Sequence, residues 1–148
     1  AARPNIVGAK IHDFGAYYDL IRATRNFEFA VINAGQMKNM IFGYQVGSPA
    51  YLCPIAPFLP AISLDFFAHL EHNRYDEAWE MVFKYEEPWL SRAVEVGWLN
   101  AIKSAIYLRG LYPNSRPCPP QLATTMAQMD KVRCVIEDVF GPIESVDL

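Results

Sequence analysis

The order of structural elements expected in the first 55 residues constrains the fold of this chain most strongly. Three short apolar segments of β-strand character alternate with two segments whose apolar residues recur at helical spacing. The strand segments are residues 5–11, 27–33 and 50–55, and the helical segments are residues 16–25 and 37–46. Strands and helices that alternate over so short a length form βαβ units, whose strands are parallel. The sequence therefore predicts a parallel sheet at the beginning of the chain.

The remaining sequence predicts helices and no further strand. Helical periodicity covers four segments, and the Pro-rich loop 112–120 separates the last two of them. These segments are residues 61–72, 75–96, 99–111 and 121–140. Pro88 should kink or break the longest of them, because proline cannot donate the backbone hydrogen bond of a helix interior. We expect two regions, a sheet-containing part in residues 1–60 and a helical part in residues 61–148.

Three parallel strands alone make a poor free-standing sheet. Such a sheet has two open edges, and parallel sheets normally have both faces covered. The chain carries no initiator methionine and opens almost directly on a strand-like segment. We therefore expect these strands to complete a larger closed sheet, and the chain to be a portion of something longer.

Composition narrows the class of protein. A hydrophobic fraction of 52% and a net charge of −3 indicate a packed globular protein, and the scattered basic residues argue against a nucleic-acid partner. No apolar run approaches the roughly 20 residues of a membrane helix, and no signal peptide is visible. Three cysteines at unrelated spacings suggest free thiols in a reducing compartment. The simplest expectation is a cytoplasmic protein.

Several segments, taken in order, resemble the dihydrodipicolinate synthase and N-acetylneuraminate lyase family. NIVGAK (5–10) resembles the sixth barrel strand of that family, FAVINAG (29–35) the seventh, and GSPAYLCPIAP (47–57) the eighth. The helical segments HNRYDEAWEM (72–81) and EVGWLNAIKSAIYLRGL (95–111) follow in the family's order, as do the Pro-rich loop and the last helix. The resemblance covers nearly the whole chain but only the later half of a family member.

The resemblance implies a fold and an activity. The fold would be α/β, namely strands 6–8 of a (β/α)8 TIM barrel followed by a C-terminal helical extension. The activity would be that of a lyase or aldolase that forms a Schiff base with pyruvate or another 2-oxo acid, with Lys10 as the imine-forming residue. Such chemistry requires a neutral amine, which burial between apolar strands favours, and we expect Val7, Ala9 and Ile11 to supply that environment. No cofactor or metal is expected.

Substrate binding is expected at the ends of the next two strands. The turn Asn33-Ala34-Gly35 would lie beside the substrate carboxylate or the imine, since small residues let the backbone approach a ligand closely. Leu52 resembles an apolar pocket-wall position of the family. A plain βα turn and a core leucine are equally open interpretations of these residues.

Other candidate groups carry weaker predictions. His12 and Asp13 follow Lys10, but adjacent strand residues point to opposite faces, so both cannot share its direction, and a surface or loop role is favoured. Tyr17 and Tyr18 are not assigned the role of the family's catalytic tyrosine, which belongs to an earlier strand. Cys53 is better interpreted as a small buried hydrophobe. His69 and His72 lack a third metal ligand.

The expected partners follow from the open sheet and from the resemblance. They are a 2-oxo acid, together with an N-terminal barrel half or a second copy of the chain. Neither nucleic acid nor a membrane is expected as a partner. We expect a homo-oligomer. Two alternatives remain open. The first is a non-catalytic relative that binds 2-oxo acids or regulates another protein, and the sequences Ile11-His12 after the lysine and Ser48-Pro49-Ala50, which depart from the family pattern, suggest it. The second is a helical interaction module in residues 61–148.

Overall fold

A computed structural model describes residues 5–143 of the chain. These residues form two short strands, seven α-helices and one π-helical turn, which separates α4 from α5. The strands are β1 (Gly8–Ile11) and β2 (Ala30–Asn33). The helices are α1 (Phe14–Thr24), α2 (Met37–Gln45), α3 (Pro60–Glu71), α4 (Tyr75–Met81), α5 (Glu87–Val96), α6 (Trp98–Leu108) and α7 (Met126–Phe140), and the π-helical turn is Val82–Glu86.

The described residues fall into two compact units. The first unit comprises residues 5–54 and 65–79, and the second comprises residues 55–64 and 80–143. The first unit holds both strands together with α1 and α2, and the second holds α5, α6 and α7. Each unit has its own buried side chains and is described by itself below.

The two strands of the first unit pair in parallel, as the βαβ pattern predicts. Gly8 lies opposite Ala30, and the register continues to Ile11 opposite Asn33. Segment 50–55, which the sequence predicts as a third strand, instead pairs only through Tyr51, which forms a parallel bridge with Asn33. Proline is poorly tolerated inside a sheet because it lacks the ladder N–H, and Pro54 limits this segment in that way.

Helix α1 covers one face of the strand pair. Tyr17 and Ile21 are buried with Val31 of β2, and three partly buried hydrophobic side chains, those of Ile11, Leu20 and Phe29, pack against this cluster. The Asp13 carboxylate starts α1 by accepting a hydrogen bond from the Ala16 N–H at 2.7 Å. Side chains along a strand alternate between its two faces. Since Ile11 and Val31 point towards α1, Lys10 and Ile32 point to the opposite face of the strand pair.

Helix α2 is joined to the strands through a buried polar group. The Ser48 hydroxyl donates to the Val31 carbonyl at 2.7 Å, which fastens the loop after α2 to β2. The aromatic ring of Tyr17 lies where a side chain at Gly43 would stand, so α2 can approach α1 closely. Burial raises the pKa of the Tyr17 phenol, and the neighbouring Ser48 hydroxyl offsets this only in part. Gly47, with φ +100°, follows α2 where the sequence predicts its end.

Pro88 divides the long helix predicted for residues 75–96, as expected. The π-helical turn Val82–Glu86 precedes α5, and Pro88 stands in the first turn of α5. A first-turn N–H has no partner within its helix, so a proline there removes no helical hydrogen bond. The widened turn upstream is the local adjustment that accommodates the proline ring.

Aromatic side chains form much of the core of the second unit. The ring of Phe58 lies 4.8 Å from that of Trp89 and 5.5 Å from that of Phe140, centroid to centroid. Tyr85, from the π-helical turn, stacks on Phe140 at 5.8 Å. Aromatic pairs at such distances add to the stabilisation that burial gives. These contacts join α5 and α7 around one apolar centre.

Candidate functional site

The ends of the parallel segments in the first unit meet at one edge. The Ala34 N–H donates to the Ile11 carbonyl at 2.9 Å, and the Leu52 N–H donates to the Asn33 carbonyl at 3.1 Å. These two bonds place the carboxyl end of β1, the turn after β2 and the residue after Tyr51 side by side. The residues that the sequence predicts for a site are therefore brought together at this edge.

Lys10 lies on the face of the strands that α1 does not cover. Lys10 is in register with Ile32 of β2. Each of these two residues is next in sequence to a residue that packs against α1, Ile11 on β1 and Val31 on β2, so both point to the other face. The Lys10 side chain is exposed, whereas Ile32 is half-buried. Tyr51 belongs to the opposite, covered face, where its ring lies 5.6 Å from that of Phe66. Leu52, one residue further on, is thus directed to the face of Lys10 and is 47% exposed.

The face that carries Lys10 is apolar and exposed. Ile6, two residues before Gly8, is 55% exposed, and Ala30 of β2 is exposed as well. Ile32 and Leu52 lie on the same face, so the exposed Lys10 has apolar neighbours on this surface. Apolar side chains gathered on an exposed surface usually mark a place where another molecule or another part of the protein binds. We call this surface, formed by Ile6, Gly8, Lys10, Ala30, Ile32 and Leu52, the open face.

The apolar environment expected around Lys10 does not come from the residues that flank it in sequence. Val7 is 71% exposed. Ala9 pairs with Val31 and, like Ile11, is on the face covered by α1, away from Lys10. That expectation is wrong, because side chains next to each other along a strand point to opposite faces. Groups that shield the Lys10 amine have to stand across the open face.

The predicted binding residues in the turn after β2 are of two kinds: Asn33 has a buried side chain, whereas Ala34 and Gly35 present their backbone at the edge. The Asn33 side chain is 1% exposed and lies on the covered face, where its carboxamide oxygen accepts the Gly35 N–H at 3.1 Å. Asn33 therefore shapes the turn. Ala34 and Gly35 present backbone at the edge, and Gly35 has a φ of +139° that few other residues adopt. A Cβ added to Gly35 would stand 3.6 Å from the Leu52 carbonyl oxygen, so these two residues are neighbours.

The structure gives the other candidate residues positions away from Lys10 or roles in supporting the fold. Asp13 is occupied as the N-cap of α1, and Tyr17 is buried on the covered face. His69 lies 3.9 Å from Asp65 on the same helix. Within residues 5–143, no three His, Cys, Asp or Glu side chains are grouped so that they could hold a metal ion. None of the helices in residues 5–143 is both long enough and apolar enough to cross a membrane.

His12 is exposed and lies directly after β1, in agreement with the surface or loop role that the sequence favours. The bond from the Ala34 N–H to the Ile11 carbonyl carries the pairing of β1 and β2 up to this residue, which is exposed. A residue two positions after Lys10 in extended chain points to the same side as Lys10.

These features define a class of fold. Parallel strands, each followed by a helix, present a lysine where a strand ends, on the face away from the helices. In a (β/α)8 barrel that face lines the interior, and functional side chains stand at the carboxyl ends of the strands. The fold is that of a segment of such a barrel.

Solved structures with this fold include lyases and synthases of the family that the sequence resembles. N-acetylneuraminate lyase from Fusobacterium nucleatum has a TM-score of 0.75 at 15% identity, over 93% of this chain and 46% of the lyase. YagE from Escherichia coli, a prophage protein of the dihydrodipicolinic acid synthase family solved in complex with pyruvate, has a TM-score of 0.76 at 16% identity, over 93% of this chain and 47% of its own. Dihydrodipicolinate synthase from Agrobacterium tumefaciens has a TM-score of 0.73 at 20% identity, over 92% and 46%.

The predicted resemblance is confirmed at the level of the fold. The chain spans slightly less than half the length of these structural relatives, at 46% to 47% of each. The relatives are TIM-barrel aldolases, so the described strands and helices correspond to part of a barrel. No protein-family model matches the sequence, and no curated protein matches it either.

Proposed function

We propose that this protein is a lyase or aldolase of the dihydrodipicolinate synthase and N-acetylneuraminate lyase type, which acts on pyruvate or another 2-oxo acid through an imine on Lys10. The observation that carries the proposal is the position of Lys10 on the open face, beside the turn Ala34-Gly35 and Leu52. β1, β2 and the Tyr51 segment would then be strands 6, 7 and 8 of the barrel. YagE, one of the similar structures, was solved with pyruvate bound.

The chemistry requires a nucleophile and an electron sink. A neutral Lys10 amine attacks the C2 carbonyl carbon of the 2-oxo acid, and loss of water from the adduct gives the protonated imine. The imine then accepts the electron pair of an adjacent C–C or C–H bond when that bond breaks. No cofactor is needed for either step, because the iminium group itself carries the positive charge.

The neighbours of Lys10 have distinct parts in this proposal. The backbone of Ala34 and Gly35 would lie along the substrate carboxylate, which a side chain at Gly35 would obstruct. Leu52 would form an apolar wall beside the carbon chain of the substrate. Asn33 would act indirectly, since its carboxamide holds the Gly35 N–H and so fixes the turn.

The open face requires further barrel strands. A sheet of parallel strands is normally covered on both faces, and here α1 covers only one. We propose that an N-terminal barrel half, or failing that a second copy of this chain, packs on the open face, and that the protein works as a homo-oligomer in the cytoplasm. The apolar side chains of that partner would exclude water from the Lys10 amine and so favour its neutral form.

Borohydride trapping tests the proposed function. The protein is purified in the assembly that its native cells contain, incubated with pyruvate and sodium borohydride, digested and examined by mass spectrometry. We expect Lys10 to become N-(1-carboxyethyl)lysine. Lys10→Arg, which keeps the charge, should abolish the adduct, and Lys131→Arg, at an exposed position in the second unit, should leave it intact.

The same experiment separates the proposal from its alternative. A non-catalytic relative would bind pyruvate without forming an adduct, as isothermal titration of the same sample would show. The structural relatives are named as lyases and synthases, which does not favour that alternative. Absence of the Lys10 adduct in the native assembly would overturn the proposed function.

A further inference from the structure

Three aromatic rings form a row across the helices of the first unit. The ring of Phe14, in α1, lies 5.8 Å from that of Phe42, in α2, and the Phe42 ring lies 5.6 Å from that of Trp79, in α4, centroid to centroid. Phe14 is 45% exposed, Phe42 is 48% exposed, and Trp79 is half-buried. Tyr18, one turn after Phe14 on α1, is 47% exposed. We call the surface formed by Phe14, Tyr18, Phe42 and Trp79 the aromatic ridge.

The aromatic ridge lies on the side of α1 that is turned away from the strands. Tyr17 and Ile21 of α1 pack against Val31 of β2, whereas Phe14 and Tyr18 of the same helix are exposed. In a barrel the helices form the outer ring, so this side of α1 is the outside. Further barrel strands would cover the open face, on the other side of the strand pair, and would leave the ridge exposed. The ridge therefore needs a separate partner.

The composition of the ridge is that of a protein interface. Single exposed apolar side chains are ordinary on a protein surface, but a contiguous group of large ones marks a place where another molecule binds. Aromatic side chains are enriched at the centres of interfaces between proteins, because they bury much apolar area with few rotatable bonds. The partner is thus expected to bring its own apolar surface to the ridge.

Charged side chains stand on both sides of the ridge and differ in sign. On α1, Arg22 is one turn after Tyr18, and both Arg22 and Arg25 are exposed. On α4, Asp76 is exposed and precedes Trp79 by three residues, which places the two on the same face of the helix. Within residues 5–143, none of these three charged groups forms an ion pair. The α1 side of the ridge is basic and the α4 side is acidic.

The other charged groups near the ridge do not change this division. Lys38, one turn before Phe42 on α2, is half-buried and adds to the basic side. Asp19 follows Tyr18 directly, so it points about 100° around α1 from that ring. Glu77 stands two residues before Trp79 and points to nearly the opposite side of α4.

We propose that a second copy of this chain docks on the aromatic ridge about a two-fold axis, with Arg22 facing the partner subunit's Asp76. Two-fold contacts are self-complementary, so one surface has to carry both members of each charge pair, as this ridge does. An axis that crosses the ridge at Phe42 sets the basic side of one copy against the acidic side of the other. The inference does not depend on the imine chemistry proposed for Lys10.

The charges also select the direction of the axis. An axis that runs along the row of rings, from α1 to α4, would set α1 against α1 and Arg22 against its own copy. Like charges placed opposite each other at an interface are costly. An axis across the row brings opposite charges together and still stacks the two sets of rings at the centre.

Reversing the two charges tests this arrangement. Arg22→Glu and Asp76→Arg are introduced singly into the 148-residue chain, and self-association is measured by sedimentation equilibrium. Each variant alone places like charges at two symmetric contacts and should raise the dissociation constant by about tenfold or more. An equimolar mixture of the two variants should associate within a few-fold of the wild type, because each contact then joins a basic and an acidic side chain.

The rings are tested by a further substitution. Phe42→Asp puts a charge at the centre of the ridge and should also raise the dissociation constant by about tenfold or more. Circular dichroism checks the fold of this variant, and the two charge reversals do not depend on it, since they alter exposed side chains. Glu137→Lys makes the same change of charge at an exposed position of α7, in the second unit, and should have no effect.

The ridge is separated from the open face by repeating the measurements on Ile6→Asp, which weakens contact through the open face. Self-association that persists in Ile6→Asp and is lost on adding Phe42→Asp is the expected result. An Ile6→Asp chain that shows no self-association overturns the inference, as do charge reversals that leave the dissociation constant unchanged.

Two other outcomes also contradict the proposed docking. If the single reversals weaken association but their mixture does not restore it, Arg22 and Asp76 do not face each other across a two-fold axis. If self-association is unchanged in Phe42→Asp while a protein of different mass that accompanies the wild type from its native cells is lost, the ridge binds a different partner.

Discussion

Gly8 allows β1 and β2 to pair without a side chain between them. A Cβ at this position would stand 2.6 Å from the Ala30 carbonyl oxygen, closer than such atoms approach. We expect Gly8→Ala to lower the free energy of unfolding by about 1–3 kcal/mol, because the backbone of β2 would have to move. Urea denaturation followed by circular dichroism measures the change.

A second glycine provides the control. Gly15 lies in α1, where an added Cβ would meet only the Asp13 carboxylate oxygen at 3.4 Å. Gly15→Ala should therefore be neutral or stabilise by up to about 1 kcal/mol, since alanine favours the helix. Equal effects of the two substitutions would contradict the close approach at Gly8.

Tyr17 gives the first unit a dependence on alkaline pH. Its phenol is 1% exposed, and burial raises its pKa above the ordinary value near 10. The unfolded chain therefore loses this proton first, so the stabilisation is complete below about pH 10 and is lost as pH rises through the folded-state pKa.

Tyr17→Phe isolates this effect. Urea denaturation between neutral and alkaline pH should show wild-type stability falling faster, by at most about 1.4 kcal/mol per pH unit above pH 10. Other groups titrate equally in both proteins, so the difference between them belongs to Tyr17. Parallel curves would show that the phenol ionises as easily in the folded chain as in the unfolded one.

For single residues, the sequence predicts where along a strand a side chain lies better than it predicts which face of the sheet that side chain points to. Strand alternation predicts that Lys10 and Ile11 face opposite ways, and the packing of Ile11 against α1 decides which way each one faces. The carboxamide of Asn33 bonds to its own turn, which the sequence does not reveal, since an Asn at a strand end can equally bind a ligand.

Helix α7 begins with a reciprocal pair of hydrogen bonds. The Thr125 hydroxyl accepts the Gln128 N–H at 3.3 Å, and the Gln128 side chain accepts the Thr125 N–H at 2.9 Å. We expect Thr125→Ala to lower the free energy of unfolding of the second unit by about 1 kcal/mol, because a helical N–H loses its partner. Thr125→Ser keeps the hydroxyl and should retain most of the stability; the measurement is again urea denaturation.

Element boundaries show where sequence patterns suffice. Helix α2 is predicted at residues 37–46 and runs Met37–Gln45, because a glycine with positive φ stops it. The last helix is predicted from residue 121 but begins after Thr125, since the capping box outweighs the apolar periodicity upstream. Such caps are readable in principle, as Thr125 and Gln128 have the spacing of the motif.

The length of a strand depends on the neighbouring strands with which it pairs, and not on its own sequence alone. Segment 50–55 has the composition of a strand but pairs only at Tyr51. Helices satisfy their own backbone groups, whereas a strand requires a neighbour on each side, so its extent is set by the rest of the sheet. This difference explains why the helices of this chain were predicted more accurately than its third strand.

For the molecule as a whole, the open face connects fold and function. Its exposed apolar residues are the kind that a barrel buries, and its one lysine is at the edge where barrel enzymes carry their catalytic groups. A surface that is costly to leave exposed is thus also the surface that carries the proposed chemistry. The partner that covers it would stabilise the fold and desolvate the site at the same time.

Assembly is therefore expected for the 148-residue chain. Size-exclusion chromatography with light scattering should give a mass above the 16.8 kDa of one chain. Ile6→Asp places a charge on the open face, where Ile6 is 55% exposed, and should weaken assembly by about tenfold or more, because a buried apolar side chain contributes about 1.5–3 kcal/mol. Leu64→Asp changes a leucine of α3 that is 71% exposed and should leave the mass unchanged. A well-folded monomer at micromolar concentration would show that the open face needs no partner, and with it the proposal that this face completes a barrel would fail.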